Sequence, residues 1–110
     1  MVVDSNYIMN SYFVYIVRCS DEAYYTGITN DIDRRISEHN FGIDSKCFTF
    51  KRRPVELVYS EYFSNVKDAI SMEKRIKGWT RKKKEALIKG DFEELVRLSK
   101  KGSHTSTGSV

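Results

Sequence analysis

The sequence predicts a small α+β domain, a three-stranded sheet flanked by helices in the order β-β-α-β-α-α-α. Three observations carry that expectation. Runs dense in aromatic and β-branched residues read as strands at 11–19, 24–29 and 55–62. Elsewhere apolar residues recur every three or four positions, the spacing of one helix face. Asn, Asp or Thr stands before each such stretch and Gly after most of them, which is how helices start and stop. The chain has 110 residues and 12.8 kDa, enough for one modest core.

The first ten residues show no periodicity and lead into a single domain expected over 11–99. After the first strand the polar residues 20–23 turn the chain, and 24–29 return beside it as a hairpin. Gly27 inside that strand marks a bulge or a close backbone approach. Asn30 or Asp31 caps a helix carrying Ile32 and Ile36, and Gly42 ends it. Residues 46–54 read as a loop holding the basic run Lys51, Arg52, Arg53. The third strand places Val55, Leu57 and Tyr59 on one face. Asn65 caps the next helix, from Val66 to Gly78. Thr80 caps a helix over 81–89 that Gly90 closes, and Asp91 caps a short last one over 92–99. Residues 100–110, rich in Ser, Thr and Gly, are expected to form a disordered tail.

With 40% hydrophobic and 31% charged residues the composition is that of an ordinary globular chain. No stretch approaches 18 apolar residues, so no transmembrane helix is expected. No basic flank with an apolar stretch marks a signal peptide. Cys19 and Cys47 stand in no CxxC and at no ligand spacing from a histidine, so zinc is not expected and a reducing cytoplasm is. The charge is unevenly placed. Residues 1–45 hold three cations and seven anions, a net of −4; 46–84 hold twelve and four, a net of +8; the remainder sums to zero. Such a stretch suits a surface that meets polyanions, or else forms a solvated basic face.

Several residues do not fit a purely structural account. In the helix from Val66 the stripe Val66, Ala69, Ile70, Glu73, Ile76 puts a carboxylate among core-facing positions. It needs a salt-bridge partner or a metal there. Arg35 and His39 share the core-facing side of their helix with Ile32 and Ile36. Arg35 offers a planar fork to a phosphate or a carboxylate. Arg81, Lys82, Lys83 and Lys84 fill a first helical turn where cations oppose the macrodipole, a placement that an external anion would relieve. Trp79 before them anchors the turn or stacks on a base. Tyr15 and Tyr25 occupy the middle of two paired strands, where tyrosines usually pack.

Val14-Tyr15-Ile16, then Tyr25-Thr26-Gly27, then Arg35, with Tyr15, Tyr25 and Arg35 each ten positions from the next, make a pattern. With His39-Asn40 and the later Glu73 it resembles the GIY-YIG nuclease superfamily, in particular its small stand-alone single-domain bacterial branch. The resemblance covers about residues 11–90. It implies that Tyr15, Tyr25, Arg35, His39 and Glu73 form a catalytic set and that Glu73 holds one divalent cation, Mg²⁺ or Mn²⁺. The implied reaction is endonucleolytic hydrolysis of DNA phosphodiesters, selective for structure and serving repair or recombination. Tyr15 would be the general base if nearby positive charge lowers its pKa from ~10. Arg35 would hold a phosphate oxygen, and Tyr25 would position the water or the phosphate. Gly27, Lys51, Arg52, Arg53, Lys77, Arg81, Lys82, Lys83 and Lys84 are expected to meet DNA.

No small-molecule cofactor, membrane or particular protein partner is implied. The first motif reads Val-Tyr-Ile rather than Gly-Ile-Tyr, and Ile28 stands where some members carry a lysine, leaving His39 or Lys77 to supply that charge. No Asn follows Asn65. Two other readings stand beside the nuclease: a nucleic-acid-binding module on the same scaffold without chemistry, and an interaction domain whose basic stretch meets an acidic protein.

Overall fold

The computed structural model describes the backbone of residues 11–107 and the side chains of 11–100; the lead-in over 1–10 and the end of the tail over 108–110 lie outside the described residues. The elements follow the predicted order: β1 Tyr12–Arg18, β2 Tyr24–Thr29, α1 Ile32–Phe41, a 3-10 turn Phe50–Arg52, β3 Glu56–Phe63, α2 Val66–Lys77, α3 Arg81–Lys89 and α4 Phe92–Thr107. They fall into two compact units divided between Lys77 and Gly78. Among the described residues no helix is long and apolar enough to cross a membrane.

In the first unit β1 is central and antiparallel to both neighbours, in the order β2-β1-β3. A strand covered on both faces reads as a continuous apolar run. Accordingly Val14, Tyr15, Ile16 and Val17 are all fully buried. Tyr15 and Val17 join Cys19 and Val55 in one cluster, against which Ala23, Tyr25 and the α1 residues Ile32 and Ile36 pack. Burying each Val or Ile completely contributes about 1.5–3 kcal/mol. α1 starts where the Asp31 carboxylate accepts the Arg34 N–H at 3.1 Å, and it ends at Gly42, whose φ of 69° suits glycine.

Two expectations about faces are corrected. Val17 pairs with Leu57 and Ile16 with Tyr59, so Val58 is an extra residue in β3. Such a bulge breaks the period of two. Leu57 therefore shares a face with Val17, and Tyr59 shares the opposite face with Ile16. The α2 stripe is also rotated. Val66 and Ile70 are each 39% exposed, while Ala69 and Ile76 are buried and Met72 and Glu73 are partly buried. The stripe 69, 72, 73, 76 has helical spacing too, and it is the one that α2 turns inward as it lies against β1 and β2.

In the second unit the Thr80 hydroxyl accepts the Lys83 N–H at 3.2 Å to start α3, and the Asp91 carboxylate accepts the Glu94 N–H at 3.1 Å to start α4. Ala86 and Leu87 are buried, and α3 packs on α4. α4 runs to Thr107, past the end expected at Ser99. No proline follows to stop it, and Ser, Thr and Gly weaken a helix without forbidding one.

Candidate active site

The site is built on the β1–β2 pair. Tyr15 stands directly opposite Gly27, and its ring lies across the glycine. A Cβ at position 27 would fall 2.6 Å from Tyr15 Cζ, inside the ring's van der Waals envelope. The sequence-level expectation of a close backbone approach is met. Gly27 itself is buried and faces Tyr15, so its contact is with protein where DNA was expected. Gly27→Ala should therefore destabilise the fold by about 1–3 kcal/mol through overpacking and displace the Tyr15 hydroxyl. Denaturant titration checks this; an unchanged midpoint would show that the slot is not needed.

α1 supplies the next two groups one turn apart on one face. Arg35 Nε donates to Tyr15 Oη at 3.3 Å, and Arg35 Nη1 pairs with Glu38 Oε1 at 3.2 Å. His39 is buried, with Nε2 hydrogen-bonded to Tyr15 Oη at 2.8 Å and Nδ1 to Thr49 Oγ1 at 2.8 Å. The Thr49 hydroxyl donates to Cys47 Sγ at 3.4 Å, and that sulfur lies 3.9 Å from His39 Nδ1. Tyr25, partly buried, packs its ring 5.3 Å from His39 and 6.4 Å from Tyr15, and stacks on Phe48. A cleft of about 280 Å³ opens among Arg35, Glu38, His39, Asp44, Cys47 and Thr49.

The electrostatics revise one role. Burial pushes the Tyr15 hydroxyl up to about 12, against the opposing pull of Arg35. Since Tyr15 is also fully buried, it is no standing tyrosinate open to water: burial outweighs the lowering by Arg35 that a base would need. Tyr25 is raised as well, first by burial and then by Cys47, while Lys77 and Arg35 pull it down. Burial, followed by the Arg35 charge, lowers His39 below its usual 6.5, so the ring is neutral at pH 7.

Glu73 is the fifth expected residue. Its side chain is 13% exposed and holds Lys77 Nζ at 2.6 Å. Its neighbour Lys77 is the link to the tyrosines, through its charge on Tyr25. Among the described residues no three His, Cys, Asp or Glu side chains are grouped to hold a metal ion. A lone carboxylate would suit Mg²⁺ or Mn²⁺, whose remaining ligands are waters and substrate oxygens, once Lys77 releases the oxygen it holds; zinc would need more protein donors.

Among the described residues the expected DNA contacts separate into exposed and committed cations. Lys51 and Lys82 are exposed. Arg52 is tied inward: its Nε forms an ion pair with Asp21 at 3.0 Å, its Nη1 donates to the Phe48 carbonyl, and its guanidinium covers the Phe48 ring at 3.9 Å. Arg53 is exposed but donates to the Phe50 carbonyl at 2.7 Å. In the second unit Arg81 pairs with Glu85 at 3.2 Å, Lys83 lies 4.4 Å over the Trp79 ring, and Lys84 is partly buried. Trp79 thus packs under a lysine. Cys47 and Thr49 are the site residues that sequence reasoning passed over. Their loop has no periodicity, and the eight and ten residues that separate them from His39 match no ligand spacing.

The family model described as the GIY-YIG catalytic domain matches residues 11–86. A UPF0213 protein of Bacillus pumilus is 43% identical over 98 residues, 89% of this chain and 93% of the relative. A UPF0213 protein of Haloquadratum walsbyi is 51% identical over 80 residues, 72% of this chain and 89% of the relative. The solution structure of a protein from E. faecalis, at 36% identity, superimposes with a TM-score of 0.53 over 74% of this chain and 86% of that one. The chain belongs to the GIY-YIG nuclease family, alongside the small UPF0213 proteins.

Proposed function

We propose that this protein is a divalent-metal-dependent DNA endonuclease that selects its substrate by shape and backbone and acts in repair or recombination in the cytoplasm. The observation that supports this reading is the convergence of Tyr15, Tyr25, Arg35 and His39, drawn from β1, β2 and α1, beside one cleft. Phosphodiester hydrolysis needs an activated water, charge at the phosphorus and help for the departing oxygen. Arg35 is 38% exposed and presents the rest of its fork to a phosphate oxygen. Tyr25, the partly open one of the two motif tyrosines, takes the proton of the attacking water in its ionised form. The charges of Lys77 and Arg35 act on Tyr25; Lys77 thereby stands in for the lysine absent at Ile28. Tyr15 and His39 hold Arg35 in place from beneath. Glu73 would hold Mg²⁺ or Mn²⁺, which when bound supplies Lewis-acid stabilisation at the leaving oxygen.

Incubation with flap, bubble, cruciform and single-stranded DNAs in Mg²⁺, Mn²⁺ or EDTA tests the reading. Cleavage of at least one of them with metal and none in EDTA is expected. Retention of DNA without cleavage of any would leave a binding module on a nuclease scaffold.

The exposed cations should hold the DNA backbone without reading its sequence. On duplex DNA each neutralised phosphate contributes about −0.9 to the log–log slope of affinity against salt. Replacing Lys51 and Lys82 together by alanine is expected to weaken all sequences alike and to make the slope shallower by about two units. An unchanged slope would return both lysines to a solvated surface.

A further inference from the structure

We propose that Thr49 is a positioning residue: by accepting the Nδ1 proton of His39 it holds that ring in one tautomer and so orients Tyr15 and the Arg35 guanidinium. The argument is one of counting donors. A guanidinium has no acceptor, so the Arg35 Nε–H can only donate to Tyr15 Oη. Tyr15 is fully buried, and its own hydroxyl proton needs a partner. His39 Nε2, at 2.8 Å, is placed to receive it. Nε2 is then the bare nitrogen, and the neutral ring carries its proton on Nδ1, facing Thr49 Oγ1 at 2.8 Å. The Thr49 hydroxyl, thus an acceptor from His39, donates its own hydrogen bond to Cys47 Sγ.

Every hydrogen bond in the chain Arg35, Tyr15, His39, Thr49, Cys47 therefore points the same way, away from the cation. The opposite tautomer would aim two donors at Tyr15 Oη and leave the buried phenol proton unpaired. Thr49 is 1% exposed, so water does not replace its oxygen if the hydroxyl is removed. Tyr15 and Tyr25 from the strands, Arg35 and Glu38 from α1, and Cys47 from the loop are the titratable groups around the ring.

The consequence for cleavage rests on the nuclease reading; the tautomer does not. The test is ¹⁵N NMR of the His39 ring in the full chain, for wild type, Thr49→Val and Thr49→Ser, with cleavage kinetics alongside. Wild type and the serine variant should show a protonated Nδ1 and a bare Nε2, and the valine variant should lose that signature. In the valine variant kcat should fall by about 10–10²-fold, as a misplaced catalytic cation does. The serine variant should recover most of it, with KM little changed in either. A bare Nδ1 in wild type, or an unaltered ring signature in the valine variant, would overturn the proposal. If the valine variant fails to fold, the wild-type and serine spectra still decide. A correct tautomer in a protein that cleaves no DNA would count against the nuclease reading and leave the role of Thr49 in orienting Tyr15 and Arg35 standing.

Discussion

Tyr25→Phe is expected to lower the cleavage rate by ~10²–10⁴-fold, the usual loss for a general base. The two motif tyrosines are not equivalent in this fold. Tyr15 is fully buried with its hydroxyl shared between Arg35 and His39, and burial holds its pKa up to about 12. Tyr25 lies one strand outward, partly open, with two cations acting on it. Removing the Tyr15 hydroxyl should therefore act through the placement of Arg35 and cost less, about 10–10²-fold. Because the pKa of Tyr25 lies above its ordinary 10, the fraction ionised rises throughout the neutral range. The log of the rate should climb with pH in proportion, and Tyr25→Phe should flatten that climb. A phenylalanine variant at 25 that keeps most of its activity, beside a dead one at 15, would return the base to Tyr15.

What was legible in the sequence was local. Thr80 and Asp91 declare their helix starts because a cap acts over three residues, and the same rule narrows the first start to Asn30 or Asp31, of which Asp31 is the cap. Arg35 and His39 could be placed together because four residues make one turn. Glu73 stood out because it falls within either of two apolar stripes, and so the error in choosing between them did not hide it. The choice itself went wrong because Val66, Ile70 and Met72 are all apolar at helical spacing, and periodicity alone does not say which side of α2 meets the sheet. The β3 bulge escaped notice because alternation presumes that no residue is inserted. Net charge recorded Arg52 as a cation but not its commitment to Asp21 and Phe48. Thr49 and Cys47 reach the site from a loop, through contacts that only the fold creates.

Glu73→Ala should abolish metal-dependent cleavage while leaving DNA binding intact. A cation at the leaving oxygen is worth several kcal/mol of transition-state charge stabilisation, so a loss of at least ~10³-fold is expected. The fold should survive. Glu73 pairs with Lys77 at i,i+4, and since that lysine is half exposed the pair contributes only about 0.3–0.5 kcal/mol. Freeing Lys77 also leaves an additional cation near Tyr25, so affinity for a polyanion should hold or rise. Glu73→Gln separates charge from shape: a glutamine keeps the packing on α2 but is a far poorer ligand for Mg²⁺ or Mn²⁺, and it should be as inactive as alanine. Binding measured in EDTA and cleavage measured across a metal titration give the two halves of the answer. Equal cleavage by wild type and both variants at every metal concentration would remove Glu73 from the site. Loss of binding together with cleavage would make it a structural carboxylate whose partner is Lys77 alone.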